Sequence, residues 1–296
     1  MTGALTTVDS KELTRQATPN FSNALGGVVP GIVSRQTSGE PGYDSASLLI
    51  RGLGTWLSAS PLVLVDGIER DINVVDATDI ESFSVLKDAS ATAVYGMRGA
   101  NGVILINTKK GSATKPIITF RTEMTDLNGM RFDNFINAAD FATLMNEACG
   151  MDGMIMPWSD EEIETFRDHS DPYNYPDNDW TSMILKKHAF QTMNNLSVSG
   201  GNERVRYYVS FGFSSQSGLL KQDPAYEYRT NSLFQRYNFR SNVDINITKS
   251  LSVSLGLSET IEHRNYPGTA AGDIFNSLKI SSPLAYPAVN PDNSLG

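Results

Sequence analysis

Three glycines at three-residue spacing, Gly96, Gly99 and Gly102, could form a loop that binds a phosphate group. Such a loop follows a strand and precedes a helix, whose N-terminal amides face the phosphate. Here the order is reversed. The stretch "SATAVY" predicts two helical turns with Asp88 as the N-cap, and "GVILINTKK" after the glycines predicts a buried strand. We interpret the glycines as architectural residues that end a helix, with Gly96 left-handed, and open a strand.

A second group of residues could bind a metal ion. The stretch "DHSDPYNYPDNDW" brings together Asp168, His169, Asp171, Asp177 and Asp179. Carboxylate oxygens suit Ca²⁺, but the spacing differs from that of the twelve-residue calcium loop, and no glycine stands at the turn position of such a loop. We therefore predict no metal site and interpret this stretch as a solvated acidic loop that precedes a strand.

Paired carboxylates could hydrolyse a glycosidic bond, and four lie close in sequence: Asp66, Glu69, Asp79 and Glu81. An aspartate before glycine, as in "VDG", is however ordinary turn chemistry. The histidines lie in no catalytic motif: His169, His188 and His263. We predict no catalytic residues, and hence a protein that is not an enzyme.

Composition narrows the possible partners. A net charge of −9 over 296 residues disfavours nucleic acid, because phosphate binding needs a basic face. The single cysteine, Cys149, excludes an intramolecular disulfide, and its apolar neighbours predict a buried side chain. No cofactor motif occurs. No run of eighteen apolar residues predicts a membrane-spanning helix, but a spanning strand needs only about ten alternating residues.

The pattern over residues 1–112 predicts one small α+β domain. The stretch "SKELTRQATPNFSNALGGVVPGIVSRQ" is expected to begin with a helix start, to continue with a short amphipathic helix over 21–25, and to turn into a strand over 32–36. "SASLLIRG" and "PLVLVDG" predict further strands, each closed by a turn. "DATDIESFSVLKDASATAVYG" predicts a capped helical turn, a strand and the short helix described above. A length of about 110 residues is normal for a domain.

Residues 113–296 follow a different pattern. "NAADFATLMNEACG" predicts a helix with a stop at Gly150, and Ser159 with Glu162 predicts a capping box. The apolar positions of that helix are Phe141, Leu144, Met145 and Ala148. Roughly five long strands are then expected, including "NNLSVSG", "RVRYYVSFGFSSQSG", "NVDINIT" and "LSVSLGLSE". The stretches 200–202 and 248–250 are short enough for hairpin turns.

These strands alternate strictly between apolar and polar residues, which is compatible with two solvents. In a soluble β-rich binding or adhesion protein the apolar face would point inward. In a membrane barrel it would point outward at lipid, and small polar residues would line a wet lumen. The polar faces here are mostly serine, glycine and asparagine, whereas a water-exposed sheet usually carries more lysine and glutamate. This composition favours the barrel.

Specific stretches resemble the SusC/RagA-type TonB-dependent outer-membrane transporters. They are "ALGGVVPGIVSRQTSGEPGYDSASLLIRGLGT", "PLVLVDGIERDINVVDATDIESFSVLKDASATAVYGMRGANGVILINTKKG", "YPDNDW", "NNLSVSGGNERVRYYVSFGFSSQSG" and "YRTNSLFQRYNFRSNVDINITKSLSVSLGL". The resemblance covers essentially the whole chain, in order. It implies an α+β plug domain over 1–112, followed over 113–296 by antiparallel transmembrane β-barrel strands with long extracellular loops. Together these would form an incomplete 22-stranded plugged barrel.

The resemblance also implies a function. The family imports glycans or oligosaccharides, or peptides, across the outer membrane of Gram-negative, Bacteroidota-like bacteria. A SusD-like surface lipoprotein covers the barrel, and the TonB–ExbB–ExbD complex acts on a plug that gates the lumen. The chain is expected to be a fragment whose TonB contact box lies outside it.

The resemblance further selects candidate residues. Loops expected at the extracellular apex of the plug supply four that would face substrate: Tyr43, Trp56, Arg70 and Asp71. The two aromatic rings could stack on a sugar or a peptide, although Trp56 could instead pack against the plug core or the barrel wall. Arg70 and Asp71 could instead form a solvated turn pair. Arg51 and Lys87 match basic plug positions that pair with barrel acids and would lock the plug, with solvation at the plug surface as the alternative.

Overall fold

The computed structural model describes residues 5–50, 60–129, 135–222, 229–287 and 290–291. The chain divides into two compact units. The first comprises Met1–Leu127, Ala189–Gly218 and Ser232–Asn265, and the second comprises Asn128–His188, Leu219–Asn231 and Tyr266–Gly296. None of the helices in the described residues is long and apolar enough to cross a membrane.

The first unit begins with a small α+β domain, here called the N-terminal globule (residues 5–108). Its strands are β1 (Leu5–Asp9), β2 (Ile32–Arg35), β3 (Ser47–Ile50), β4 (Leu62–Val65), β5 (Ile68–Glu69), β6 (Ile80–Leu86) and β7 (Val103–Thr108). Its helices are α1 (Ser10–Leu13), α2 (Phe21–Ala24) and α3 (Ala89–Thr92), with 3-10 turns at Ile72–Val74, Ala77–Asp79 and Ala93–Gly99. The predicted α+β plug fold is confirmed.

One mixed sheet organises this globule, in the order β1-β6-β7-β4-β5, while β2 and β3 form a separate antiparallel pair. β4 and β7 run parallel to each other. The core lies against this sheet, where Phe21 of α2 meets Phe83 of β6 edge to face at 5.8 Å between ring centroids. Ile80, Ile104 and Ile106 are buried beside them. Apolar burial of this kind makes the largest favourable contribution to the stability of a small domain.

The glycine stretch has the predicted order of helix, glycines and strand. The α-helix is shorter than expected, because α3 ends at Thr92 and the chain continues as a 3-10 turn to Gly99. Gly96 has a positive φ of 58° with a ψ of −145°, so it is not the left-handed helical residue that the sequence predicts, but its backbone conformation still favours glycine. Gly102 has a φ of 92°, and a Cβ there would lie 2.8 Å from Ile50 Cδ1. These glycines therefore permit a sharp bend and a close approach to β3, as the architectural interpretation requires.

The rest of the first unit is a five-stranded antiparallel sheet, here called the long sheet. Its strands are β8 (Ile117–Asn128), β9 (His188–Gly201), β10 (Val205–Ser217), β11 (Leu233–Asn246) and β12 (Ser252–Asn265). The order β12-β11-β10-β9-β8 follows the chain. Short connections join β9 to β10 and β11 to β12, which confirms the two predicted hairpins. The predicted domain boundary after residue 112 falls between β7 and β8 and remains a prediction.

The long sheet has one apolar face and one polar face, and the apolar face is exposed. Phe211 is 49% exposed, Val253 46% and Leu255 54%. On the opposite face Ser210 and Ser214 are buried beneath the N-terminal globule. A soluble sandwich would bury the apolar face, so this arrangement favours the membrane barrel over the soluble β-rich alternative.

The second unit contains four helices in its described residues: α4 (Ala138–Met151), α5 (Asp160–Asp168), α6 (Trp180–Ile184) and α7 (Ala271–Ile280). The predicted capping box between Ser159 and Glu162 is present at the start of α5. α4 packs its alanine-rich face against α5, so Leu144 and Met145 are exposed. The prediction that Cys149 is buried is wrong, since this side chain is only half-buried near the end of α4.

Candidate functional site: the polar seat of the N-terminal globule

The N-terminal globule packs on the polar face of the long sheet, and this contact is here called the polar seat. A buried arginine lies at its centre. Arg240 of β11 is 6% exposed. Its Nη1 lies 3.5 Å from Asp66 Oδ2, and its Nε lies 3.7 Å from Asp79 Oδ2. A buried guanidinium requires compensating charge, and here two carboxylates of the globule supply it.

Asp66 ties this arginine to the end of the globule's central strand. It occupies the β4–β5 turn with a φ of 50°. Its Oδ1 accepts from the backbone N–H of Thr108 at 2.9 Å, and its Oδ2 accepts from the Thr108 hydroxyl at 2.8 Å. Asn242 of β11 donates to the Thr108 hydroxyl at 2.9 Å and to the Lys109 carbonyl at 2.8 Å. The turn, the end of β7 and β11 are thus joined by one hydrogen-bond network.

Asp79 is the most deeply placed acid of the site, at 3% exposure. The Tyr208 hydroxyl of β10 donates to its Oδ1 at 2.8 Å. Burial, followed by the nearby charge of Asp76, raises the pKa of Asp79 to about 6. Hydrogen bonds from Tyr208 and Ser210 and the charge of Arg240 lower the pKa and offset part of this rise. The carboxylate is therefore held in a setting that disfavours its ionised form.

The contact between Arg240 and Asp79 is electrostatic rather than a good hydrogen bond. At 3.7 Å it exceeds hydrogen-bond distance, and the Arg240 Nε has no hydrogen-bond partner among the described residues. Asp76 caps the 3-10 turn Ala77–Asp79 and accepts a hydrogen bond from Asn195 of β9 at 3.4 Å. The centre of the seat is thus a buried group of charges whose hydrogen bonding is incomplete.

A second buried arginine, Arg236, lies on the same face of β11. Its Nη2 donates to Asn20 Oδ1 at 2.7 Å, its Nη1 donates to the Pro19 carbonyl, and its Nε donates to Glu262 at 2.8 Å. The two arginines are four positions apart along the strand, a distance of about 13 Å. β11 therefore holds the N-terminal globule at two distant points.

Asn20 extends this second contact into the globule. Its Nδ2 donates to Asp44 Oδ1 at 2.6 Å. Burial raises the pKa of Asp44, partly offset by backbone and Asn20 hydrogen bonds. Two further side chains of the long sheet bind nearby carbonyls: Arg121 donates to Thr14 and Gln191 to Ala17, at 2.8 and 2.9 Å. The segment 14–20 is thus bound through neutral acceptors, in contrast to the ionic contact at Arg240.

The structure places three of the predicted substrate-facing residues. Tyr43 is 54% exposed, and the Arg264 guanidinium lies 5.7 Å from its ring centroid. Asp71 caps the 3-10 turn after β5. Arg70 donates to the Ser258 hydroxyl near the middle of β12. Whether these residues contact substrate remains a prediction.

Of the two residues predicted to lock the plug to the barrel, the structure describes only Lys87. The Lys87 ammonium donates to the Thr6 hydroxyl at 2.9 Å and to the Pro30 carbonyl, both within the N-terminal globule. Its pairing with a barrel acid remains a prediction. Arg51 and Trp56 lie outside the described residues.

The acidic loop of the second unit uses its carboxylates to accept hydrogen bonds from backbone N–H groups of the same unit. The oxygens of Asp168, Asp171, Asp177 and Asp179 accept from the backbone N–H groups of Ser170, Asn174, Ala138 and Ser182. Hydrogen bonds hold the pKa values of three of them below the usual range: Asp168, Asp171 and Asp179. Across the described ranges no three His, Cys, Asp or Glu side chains are placed to hold a metal ion.

Sequence reasoning missed the charged centre of the seat. It considered Asp66 and Asp79 only as turn residues or hydrolytic acids, and it did not single out Arg236 or Arg240. A signal was available, because both arginines occupy even positions of β11, on a face whose other residues are three asparagines with Phe234 and Asp244. A long cationic side chain on that face needs a partner, and the globule is the element that covers it.

Comparison with known proteins agrees with this architecture. The family described as TonB-dependent Receptor Plug Domain matches residues 1–103. TonB-dependent receptor P3 of Formosa agariphila is 32% identical over 94% of this chain and 26% of its own length. TonB-dependent receptor SusC of Bacteroides thetaiotaomicron is 30% identical over 75% of this chain and 21% of its own length. The solved structure of the RagAB peptide transporter is 28% identical, with a TM-score of 0.77.

The match to the RagAB structure covers all of this chain but only 35% of the chain in that structure. The chain likewise spans about a quarter of the length of the curated relatives it matches. Within that span the N-terminal globule corresponds to a plug domain, and the long sheet corresponds to strands of a plugged barrel. The chain belongs to the SusC/RagA-type TonB-dependent receptors.

Proposed function

We propose that this chain is the plug and the first barrel strands of an outer-membrane transporter, and that the N-terminal globule closes the lumen of the barrel. The observation that carries this proposal is the two-sidedness of the long sheet. Its apolar face is exposed, while its polar face holds the globule through two buried arginines, Arg236 and Arg240. In a water-soluble protein such an exposed apolar face would be costly, whereas acyl chains would cover it in a bilayer.

The membrane is the outer membrane of a Gram-negative bacterium, as for TonB-dependent receptors in general. The cargo is an oligosaccharide or a peptide. The RagAB relative is described as a peptide importer, which supports the peptide class, and SusC is described as a TonB-dependent receptor. We further propose a SusD-like lipoprotein and the TonB–ExbB–ExbD complex as partners.

The chemistry of the acids supports transport without catalysis. Asp66 is engaged by Thr108 and Arg240, and Asp79 by Tyr208. Carboxylates bound in this way serve to hold the globule, whereas hydrolysis needs two acids facing one substrate. The relatives are described as receptors and as a peptide transporter.

Deletion and complementation in the source bacterium test the transport proposal. The complete gene is deleted, and uptake of labelled peptide and oligosaccharide mixtures is compared between wild-type, deleted and complemented cells. We expect uptake of one mixture to fall on deletion and to return on complementation. Unchanged uptake of both mixtures, or recovery of the protein in the soluble fraction, would refute the proposal.

The predicted substrate-facing aromatics can be tested in the same cells. Trp56→Ala and Tyr43→Ala are expected to weaken uptake if these rings stack on cargo. Equal uptake by wild type and both variants, at cargo concentrations below saturation, would remove these residues from the substrate path.

A further inference from the structure

A cavity of about 280 Å³ lies between the β4–β5 turn of the N-terminal globule and strands β11 and β12. Its charged lining residues are Asp66, Arg70, Lys110, Arg240 and Asp244. A volume of this size lies near the lower end of the range for ligand sites, roughly 300–1,000 Å³, and has room for a single amino acid or sugar unit.

Two of the three cations that line this cavity have no acidic partner among the described residues. Arg70 donates only to the neutral hydroxyl of Ser258. Lys110 is exposed and makes no ion pair or hydrogen bond with any residue that the structure describes. Within the described residues, no acid therefore pairs with either side chain.

Neither acid of the cavity forms an ion pair with Arg70 or Lys110 in the described structure. Asp66 is bound by Thr108 and by Arg240. Asp244 accepts from the Ser254 hydroxyl of the neighbouring strand at 2.5 Å. With three cations against two acids, the cavity lining has an excess of one positive charge, in a chain whose net charge is −9.

Arg240 lines the same cavity but is already held by acids of the globule. It is 6% exposed, its Nη1 lies 3.5 Å from Asp66 Oδ2, and its buried Nε lies 3.7 Å from Asp79 Oδ2. The positive charge that a ligand would meet in this cavity therefore comes from Arg70 and Lys110, and two such cations favour an anionic ligand.

We propose that this cavity is a binding site for a carboxylate group of the transported cargo, contacted by Arg70 and Lys110. The inference rests on the transport function proposed above and adds an acidic cargo to it. Arginine binds carboxylates through its planar fork, and lysine acts as a mobile point charge. An acidic peptide and a uronic-acid oligosaccharide share this chemistry.

Binding to the purified full-length transporter tests the site. The probes are a glutamate-containing tripeptide, a galacturonic-acid trisaccharide, and the neutral counterpart of each. We expect the wild type to bind one acidic probe at least about tenfold more tightly than its neutral counterpart. Which probe shows the preference identifies the source of the carboxylate.

Variants locate the effect. Arg70→Gln and Lys110→Gln are each expected to weaken binding of the acidic probe about tenfold, with little change for the neutral one. Arg70→Lys keeps the charge and should retain much of the affinity. Arg98→Gln is the matched control, because Arg98 belongs to the same globule but pairs with Glu69 and does not line the cavity.

Two results would overturn the site. One is a wild type that binds acidic and neutral probes equally, and the other is an Arg98→Gln variant that loses as much affinity as Arg70→Gln. If either result appears while deletion of the gene still abolishes uptake, the transport function stands and only the acidic site fails.

Discussion

Replacing Asp79 with asparagine should change how the stability of the N-terminal globule depends on pH. Asp79 is 3% exposed, and burial with the neighbouring Asp76 raises its pKa from 3.8 to about 6. The other titratable groups that face this cluster are Asp66, Tyr208 and Arg240. Asparagine imitates the protonated carboxyl in shape and in lack of charge, so the variant removes the titration together with the negative charge that faces Arg240.

The sign follows from the raised pKa. The seated globule binds a proton at Asp79 more tightly than the opened globule does, so the stabilisation by that proton is complete below about pH 3.8 and is lost as the pH rises through about 6. A shift of about two units corresponds to about 3 kcal/mol. Between pH 4.5 and pH 7.5 the wild type should therefore lose about 2 kcal/mol relative to Asp79→Asn.

Hydrogen exchange on the full-length protein measures this difference. Amides of β6, which begins directly after Asp79, report the free energy of local opening once intrinsic exchange rates are corrected for pH. The quantity of interest is the opening free energy of wild type minus that of Asp79→Asn at each pH. Taking the difference removes the contributions of the other carboxylates.

The matched control is Asp71→Asn, which removes an exposed carboxylate that caps another 3-10 turn of the same globule. It should show no decline of this kind between pH 4.5 and pH 7.5. A difference between wild type and Asp79→Asn that is constant over this range, or that grows with pH, would refute the reasoning. It would mean that Asp79 is solvated or is fully compensated by Arg240.

Three further predictions follow from packing. Gly102→Ala should destabilise the globule by roughly 2 kcal/mol or more, measured by the same exchange experiment, because the residue has a φ of 92° and its Cβ would lie 2.8 Å from Ile50. Leu255→Arg should reduce the stability of the membrane-inserted protein by about 2–4 kcal/mol in folding titrations from urea, whereas Ser254→Arg on the polar face should be tolerated. Ser159→Ala should destabilise α5 by about 1 kcal/mol, measured by exchange of its first-turn amides.

Each of these three substitutions has a control variant or a result that would contradict the prediction. Gly67→Ala, with a φ of 83° but no atom within 4 Å of the added Cβ, should cost less than Gly102→Ala. Equal effects of Leu255→Arg and Ser254→Arg would contradict the assignment of the lipid face. Unchanged exchange in Ser159→Ala would show that the capping box with Glu162 contributes nothing to α5.

Local features of this protein were predictable because their causes lie within a few residues. The period-two alternation in "LSVSLGLSE" is the geometry of a strand, and the hairpins follow from the short polar stretches between strands. The reversed order of helix and strand around Gly96 is enough by itself to exclude a phosphate loop. The capping box of Ser159 joins groups three residues apart.

One local expectation was corrected by packing. Cys149 has apolar neighbours in sequence, yet α4 turns its alanine-rich side toward α5 and leaves this cysteine half-buried. The pairing of Lys87 with a barrel acid is untested and stays a prediction; among the described residues its ammonium donates to Thr6 and Pro30. For Cys149 the side chain's type was clear from the sequence, and its surroundings were not.

The sequence by itself determined that the strands have two faces and that a small α+β domain precedes them. Successive side chains of a strand point to opposite faces, so the same alternation of apolar and polar residues occurs whether the apolar face contacts lipid or a protein core. Only the tertiary structure decided that Phe211 and Leu255 face outward and that Arg240 meets Asp66, a residue 174 positions away. Contacts at such separations depend on how whole elements pack, and no local pattern encodes them.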